Sequence, residues 1–98
     1  MNRRTKEINA AILKAKQRDG YKCRKCGLEN KSNHGAHLIG RNVPYKKNDP
    51  TNPEYIITLC FTHHKEYDAN TDCKQRIKKL KEWNLSAECA ILKELIKP

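Results

Sequence analysis

Two short pairs of metal-binding side chains, Cys23-Arg24-Lys25-Cys26 and Cys60-Phe61-Thr62-His63, constrain this 98-residue chain more than any other feature. Each pair has the C-x-x-C/H spacing of a knuckle, in which two ligands converge from one tight turn. Two such knuckles make the four-ligand tetrahedral set of a structural zinc ion. Residue 23 is therefore expected beside residue 60, with the intervening chain folded into one unit closed by the metal.

The fourth ligand has two claimants, because His64 follows His63 directly. Adjacent side chains on a helix point about 100° apart, so one ion takes only one of them. The knuckle spacing favours His63, with Cys73 in reserve. Cys73 and Cys89 otherwise read as apolar helix residues. This assignment leaves His37 and His64 spare.

Composition shows why a metal would be needed. The chain is 37% hydrophobic and 33% charged, with one Trp and one Phe, so a single domain of this length buries only a thin apolar layer. Five cysteines are an odd number for a disulfide framework. The opening Met1-Asn2-Arg3-Arg4-Thr5-Lys6 has no apolar signal-peptide segment. A reduced, intracellular metalloprotein is the expectation. No apolar run approaches the roughly 18 residues of a membrane span, so no membrane partner is expected.

The formal net charge is +10, unevenly spread. Residues 1–31 carry ten Lys/Arg against three acids, residues 32–72 four against five, and residues 73–98 seven against three. Basic flanks around a near-neutral centre suit a protein whose ends hold a polyanion, nucleic acid above all. Arg3, Arg4, Lys6, Lys14, Lys22, Arg24, Lys25, Lys46 and Lys47 are candidates for phosphate contacts that do not read sequence. Arg41 is placed to grip a phosphate with two donors.

Periodicity supplies the elements. Ile8, Ala11, Ile12 and Ala15 recur at i, i+3, i+4 and i+7, an amphipathic helix of about four turns ended by Asp19-Gly20. Gly27 to Gly35 is a polar loop that includes His34. Ala36-His37-Leu38-Ile39 is of strand type. Pro44, Pro50 and Pro53 mark a long loop from Gly40 to Pro53. Tyr55 to Leu59 reads as the antiparallel partner strand. Thr62 is a candidate N-cap for a helix with His63 and His64 in its first turn. Two more helices are expected near 71–83 and 87–96, the second capped by Ser86.

Knuckle, strand, loop, strand and knuckle opening a helix form an α+β arrangement: a small zinc-stabilised ββα core (residues 20–70) flanked by an N-terminal helix (1–19) and C-terminal helices (71–98), all in one domain. On Arg18 to Gly27, Ala36-His37-Leu38-Ile39-Gly40-Arg41, Asn48-Asp49-Pro50-Thr51-Asn52 and Leu59-Cys60-Phe61-Thr62-His63-His64, the chain resembles the HNH (His-Me finger) family of metal-dependent nucleases, especially its small phage-type members. The resemblance covers about residues 17–68. It implies an endonuclease acting on DNA, duplex or branched, as a homodimer or within a larger assembly. His37 would be the general base, with Arg41 beside it. His64 would hold one divalent cation such as Mg²⁺ or Mn²⁺.

Asp68, four residues after His64, lies on the same helix face and completes an imidazole/carboxylate pair suited to such a cation. His34 is a further candidate ligand, although a loop histidine without a role is the simpler reading of it. Many relatives carry a metal ligand immediately before the base, where this chain has Ala36. The family's central asparagine corresponds in position to Tyr55, with Asn52 nearby. A zinc-knuckle protein that binds nucleic acid without cutting it is the competing expectation.

Overall fold

A computed structural model describes residues 3–40, 45 and 47–97, the side chain of Arg3 excepted. Arg41 and Lys46 lie outside the described residues, as does the Arg3 side chain. Within them the protein is α+β, with four helices and a two-stranded antiparallel sheet: α1 (Arg3–Arg18), β1 (His34–His37), β2 (Ile56–Leu59), α2 (Phe61–Asp68), α3 (Cys73–Glu82) and α4 (Ser86–Leu95).

The sheet lies between α1 on one face and the other three helices on the opposite face, which explains an anomaly in its sequence. Ile56-Ile57-Thr58-Leu59 does not alternate apolar and polar residues because every one of its positions is buried; a strand covered on both sides reads as a continuous run. Ile56 joins Ala11, Ala15 and Ile12 beneath α1. Ile57 and Leu59 enter the larger core with Ala36, Leu38, Tyr67, Leu80, Trp83 and Leu92.

β1 falls two residues earlier than the apolar run suggests. His34 pairs with Leu59, Gly35 with Thr58, Ala36 with Ile57 and His37 with Ile56. Residues directly opposite share a face, so His34 and Ala36 accompany Leu59 and Ile57, while Gly35 and His37 accompany Thr58 and Ile56 on the α1 side. Leu38 and Ile39 are buried beyond the strand end. The Leu38 carbonyl turns inward to accept bonds from the Tyr67 hydroxyl (2.7 Å) and an Arg76 nitrogen (3.0 Å).

At Gly35 the Ile12 side chain of α1 packs directly against the sheet. A Cβ there would lie 2.6 Å from Ile12 Cγ2, so Gly35→Ala forces the helix and strand apart. The expected loss is about 1 to 3 kcal/mol, read as a lower denaturant midpoint at unchanged m-value.

Other boundaries differ in small ways with clear causes. Tyr55 belongs to a 3-10 turn, Pro53–Tyr55, because the Asn52 side chain accepts from the Glu54 amide and holds the turn. The N-cap of α2 is Cys60, not Thr62, and it makes no side-chain capping bond; the knuckle geometry sets where this helix begins. Ser86 is the first residue of α4, and Leu85 precedes it as the cap. Asp72 caps α3, accepting from the Gln75 amide at 2.8 Å.

The first knuckle is tied to the sheet by backbone bonds. Cys23 donates to the Leu28 carbonyl (2.9 Å), Gly27 to the Cys23 carbonyl (2.8 Å), and Arg24 to the Thr58 carbonyl (2.8 Å). Gly27 takes φ 78° to close the turn, a conformation that suits a residue without Cβ. The buried Asn33 amide donates to the carbonyls of Tyr21 and Leu28, both at 2.8 Å, and so organises the loop after the knuckle.

Candidate metal centre and histidine pocket

Cys23, Cys26, Cys60 and His63 converge, their ligand atoms all within 4.8 Å of one another. Cys26 Sγ and Cys60 Sγ are 4.0 Å apart, and His63 Nδ1 is 3.6 Å from Cys23 Sγ and 3.2 Å from Cys60 Sγ. Bond lengths of about 2.3 Å to sulfur and 2.0 Å to nitrogen, at tetrahedral angles, require separations of about 3.8 Å between sulfurs and about 3.5 Å from sulfur to nitrogen. The four side chains are thus spaced to hold a metal ion such as zinc.

The electrostatics of the cluster suit a thiolate site. Burial raises the Cys23 thiol, but the amides around it, from Cys60, Cys26 and Lys25, outweigh that and push it down to about 6. At Cys26 the Leu28 amide favours the thiolate, yet burial and the neighbouring Cys23 sulfur leave this thiol above its ordinary value. Two negative sulfurs side by side repel, and a cation between them reverses that penalty. Trp83 packs edge-on against the His63 ring, centroids 5.7 Å apart, and so orients it. Cys73 and Cys89 are not part of this group.

His64 points elsewhere, as the 100° step along the helix requires. Its Nδ1 lies 2.8 Å from His34 Nδ1 and its Nε2 3.1 Å from Asp68 Oδ2. Burial lowers the His64 pKa below its ordinary value; Asp68 opposes this, while His34 and Arg76 reinforce it. The shift favours the neutral ring, the form that ligates metals. His34 is not a loop residue. It opens β1 and touches both His64 and Phe61.

His37 lies on the other face of β1 from His34, at the strand's end. Its Nε2 is 3.1 Å from the Pro50 carbonyl oxygen. A carbonyl only accepts, so in this contact His37 donates from Nε2. The Pro50 carbonyl is held in turn by its loop: the Asp49 carboxylate accepts from the Thr51 amide (2.9 Å) and hydroxyl (2.7 Å), and the Asn48 side chain donates to the Gly40 carbonyl (3.2 Å). Those Thr51 bonds hold the Asp49 carboxyl below its ordinary range.

His37, His64 and Asp68 line one cavity of about 360 Å³, with Ile12, Gly35 and Gly40. Among the described residues, the Cys/His group alone brings three or more ligand side chains within metal-binding distance. The cavity accordingly offers a two-ligand His64/Asp68 pair, and Ala36 is fully buried in the core on the opposite face of the strand from His37.

Arg76 is the residue that sequence reasoning missed here. Only 9% exposed, it donates through Nη1 to the carbonyls of His37 (3.2 Å) and Leu38 (3.0 Å), and through Nε to Asn70 (2.9 Å). Its Nη2 is 3.5 Å from Asp68 Oδ1, and the guanidinium lies over the Tyr67 ring, 4.8 Å from its centroid. One side chain thus ties α3 to the end of β1 and to Asp68. The available signal was its position: Arg76 occupies an apolar slot of the helix, four residues before Leu80. Arg76→Met keeps the stem but leaves these carbonyls without their charged donor, an expected loss of about 3 kcal/mol, read in a thermal or denaturant melt.

The basic residues divide. Arg4, Lys22 and Lys25 are exposed. Arg24 pairs with Glu88 and Lys47 with Glu94. Arg18 serves the fold, donating to the carbonyls of Pro53 (2.9 Å) and Ile56 (2.7 Å) while paired with Asp19. Burial raises the Asp19 carboxyl, but Arg18 and Thr58 more than offset it and hold it below the ordinary range.

No protein-family model, curated protein or solved structure matches the chain. No helix among the described residues is long and apolar enough to cross a membrane.

Proposed function

We propose that this protein is a metal-dependent DNA endonuclease of the HNH (His-Me finger) type, in which β1, β2 and α2 form the ββα core and zinc on Cys23, Cys26, Cys60 and His63 is structural. The observation that carries this reading is the cavity shared by His37, His64 and Asp68, with His37 oriented by the Pro50 carbonyl. In the proposed reaction the His37 imidazole takes a proton from water, the resulting hydroxide attacks phosphorus, and the bond to the 3′ oxygen breaks.

His64 and Asp68 would hold the catalytic cation. Their ligand atoms are 3.1 Å apart, the spacing of neighbouring ligands about 2.1 Å from an octahedral ion. A bound Mg²⁺ or Mn²⁺ supplies charge neutralisation at the phosphate and the departing oxygen. Exposed Arg4, Lys22 and Lys25 would contact backbone phosphates, and Arg41, which follows β1 in the sequence, would do the same.

A second reading, a zinc-knuckle protein that binds nucleic acid without cutting it, is favoured by buried Ala36, which supplies no ligand beside His37. Nicking of supercoiled plasmid separates the two. The nuclease converts it to open circles with Mg²⁺ or Mn²⁺; salt-sensitive binding with no nicking in either metal selects the second reading.

A further inference from the structure

Phe61 is the chain's single phenylalanine, and it is 64% exposed, the most exposed of the large apolar side chains among the described residues. It is the first residue of α2, directly after the metal ligand Cys60, so the knuckle holds its backbone rigidly. A lone surface aromatic is ordinary, but the surroundings of this one are not. His34 meets the ring at 84°, centroids 5.9 Å apart, and the Lys65 ammonium, one helical turn on, lies over one face of the ring, 5.7 Å from its centroid. The ring also borders a second cavity of about 530 Å³, lined with His34, His64, Lys65, Asp68 and Ala69.

His64 and Asp68 line both cavities. The space beside Phe61 therefore adjoins the histidine pocket across these two side chains. We infer that Phe61 is a stacking platform for one unpaired nucleobase of a DNA strand, with Lys65 contacting the phosphate of the same nucleotide. The chemistry at hand fits this occupant: a flat π-face for the base, a cation beside it for the phosphate, and a chain of net charge +10 to attract the polyanion. A base paired within a duplex cannot present its face to the ring. The substrate class is thus DNA with single-stranded character at the site, such as a flap, a fork or a free strand.

This rests on the proposed nucleic-acid function but not on cleavage, and the test keeps the two apart. Zinc-loaded full-length protein carrying His37→Ala, which leaves the probe intact, is titrated with a single-stranded oligonucleotide containing 2-aminopurine and with the matching duplex. Adding Phe61→Ala is expected to weaken single-strand binding about tenfold and to abolish the fluorescence change of the stacked base. Duplex affinity stays the same, and Phe61→Trp restores single-strand binding. Zinc content and melting temperature, which this exposed side chain should not alter, verify the fold. Single-strand affinity equal in the presence and absence of the ring overturns the inference, as does an equal loss on duplex. A parent that stacks the base but never nicks plasmid removes the nuclease reading and leaves the platform standing.

Discussion

Cys60→Ser is expected to unfold the chain. Structural zinc contributes on the order of 10 kcal/mol to small domains that form their site only on folding, while an entire domain is stable by about 5 to 15 kcal/mol. Losing one of four ligands therefore removes a quantity comparable to the total. The position amplifies the effect, because Cys60 directly follows β2, is the N-cap of α2 and neighbours both Cys26 and His63. Elemental analysis should show loss of tightly bound zinc, and circular dichroism should show loss of the cooperative transition. A Cys60→Ser protein that melts cooperatively near the parent's temperature refutes the structural role of the cluster. Removing the metal from the parent with a strong chelator should reproduce the mutant.

On the proposed nuclease reading, His37→Ala should have the opposite profile, with folding and zinc content retained and plasmid nicking reduced by about 10² to 10⁴. Folding survives because it is the carbonyl of His37, not its ring, that Arg76 holds, and because the ring is only partly buried. His37→Gln is the sharper variant. An amide can still donate to the Pro50 carbonyl, so the loop keeps a partner, but it cannot take a proton from water. Retained nicking in the glutamine variant would exclude His37 as the base; loss in both variants, with unchanged melting, isolates proton transfer as its contribution.

Much of the scaffold was legible because strong local signals agreed. The four-turn periodicity of α1, the two knuckles, the β-rich run before Cys60 and the helical tail each depend on residues close in sequence. Spacing also separated His63 from His64, since the rotation per residue of a helix is fixed whatever it packs against. Less legible was the start of β1. His34 and Gly35 look like loop residues, and only the pairing with Thr58 and Leu59 draws them into the sheet. Thr58 likewise breaks an apolar strand pattern, yet it is buried because α1 covers that face.

What the amino-acid order determined alone is the ligand inventory and its spacing: three cysteines and a histidine in two knuckles, with further histidines left over, on a basic chain too poor in apolar residues to rely on its core. Tertiary structure decided which of the leftovers meet. Strand alternation sends His34 and His37 to opposite faces of β1, so His34 reaches His64 while His37 turns to the Pro50 carbonyl. Arg76, thirty-nine residues from His37, joins them through backbone carbonyls. Such contacts carry no sequence signature, because a carbonyl belongs to every residue and only the packing of α3 against the strand end determines which one an arginine finds.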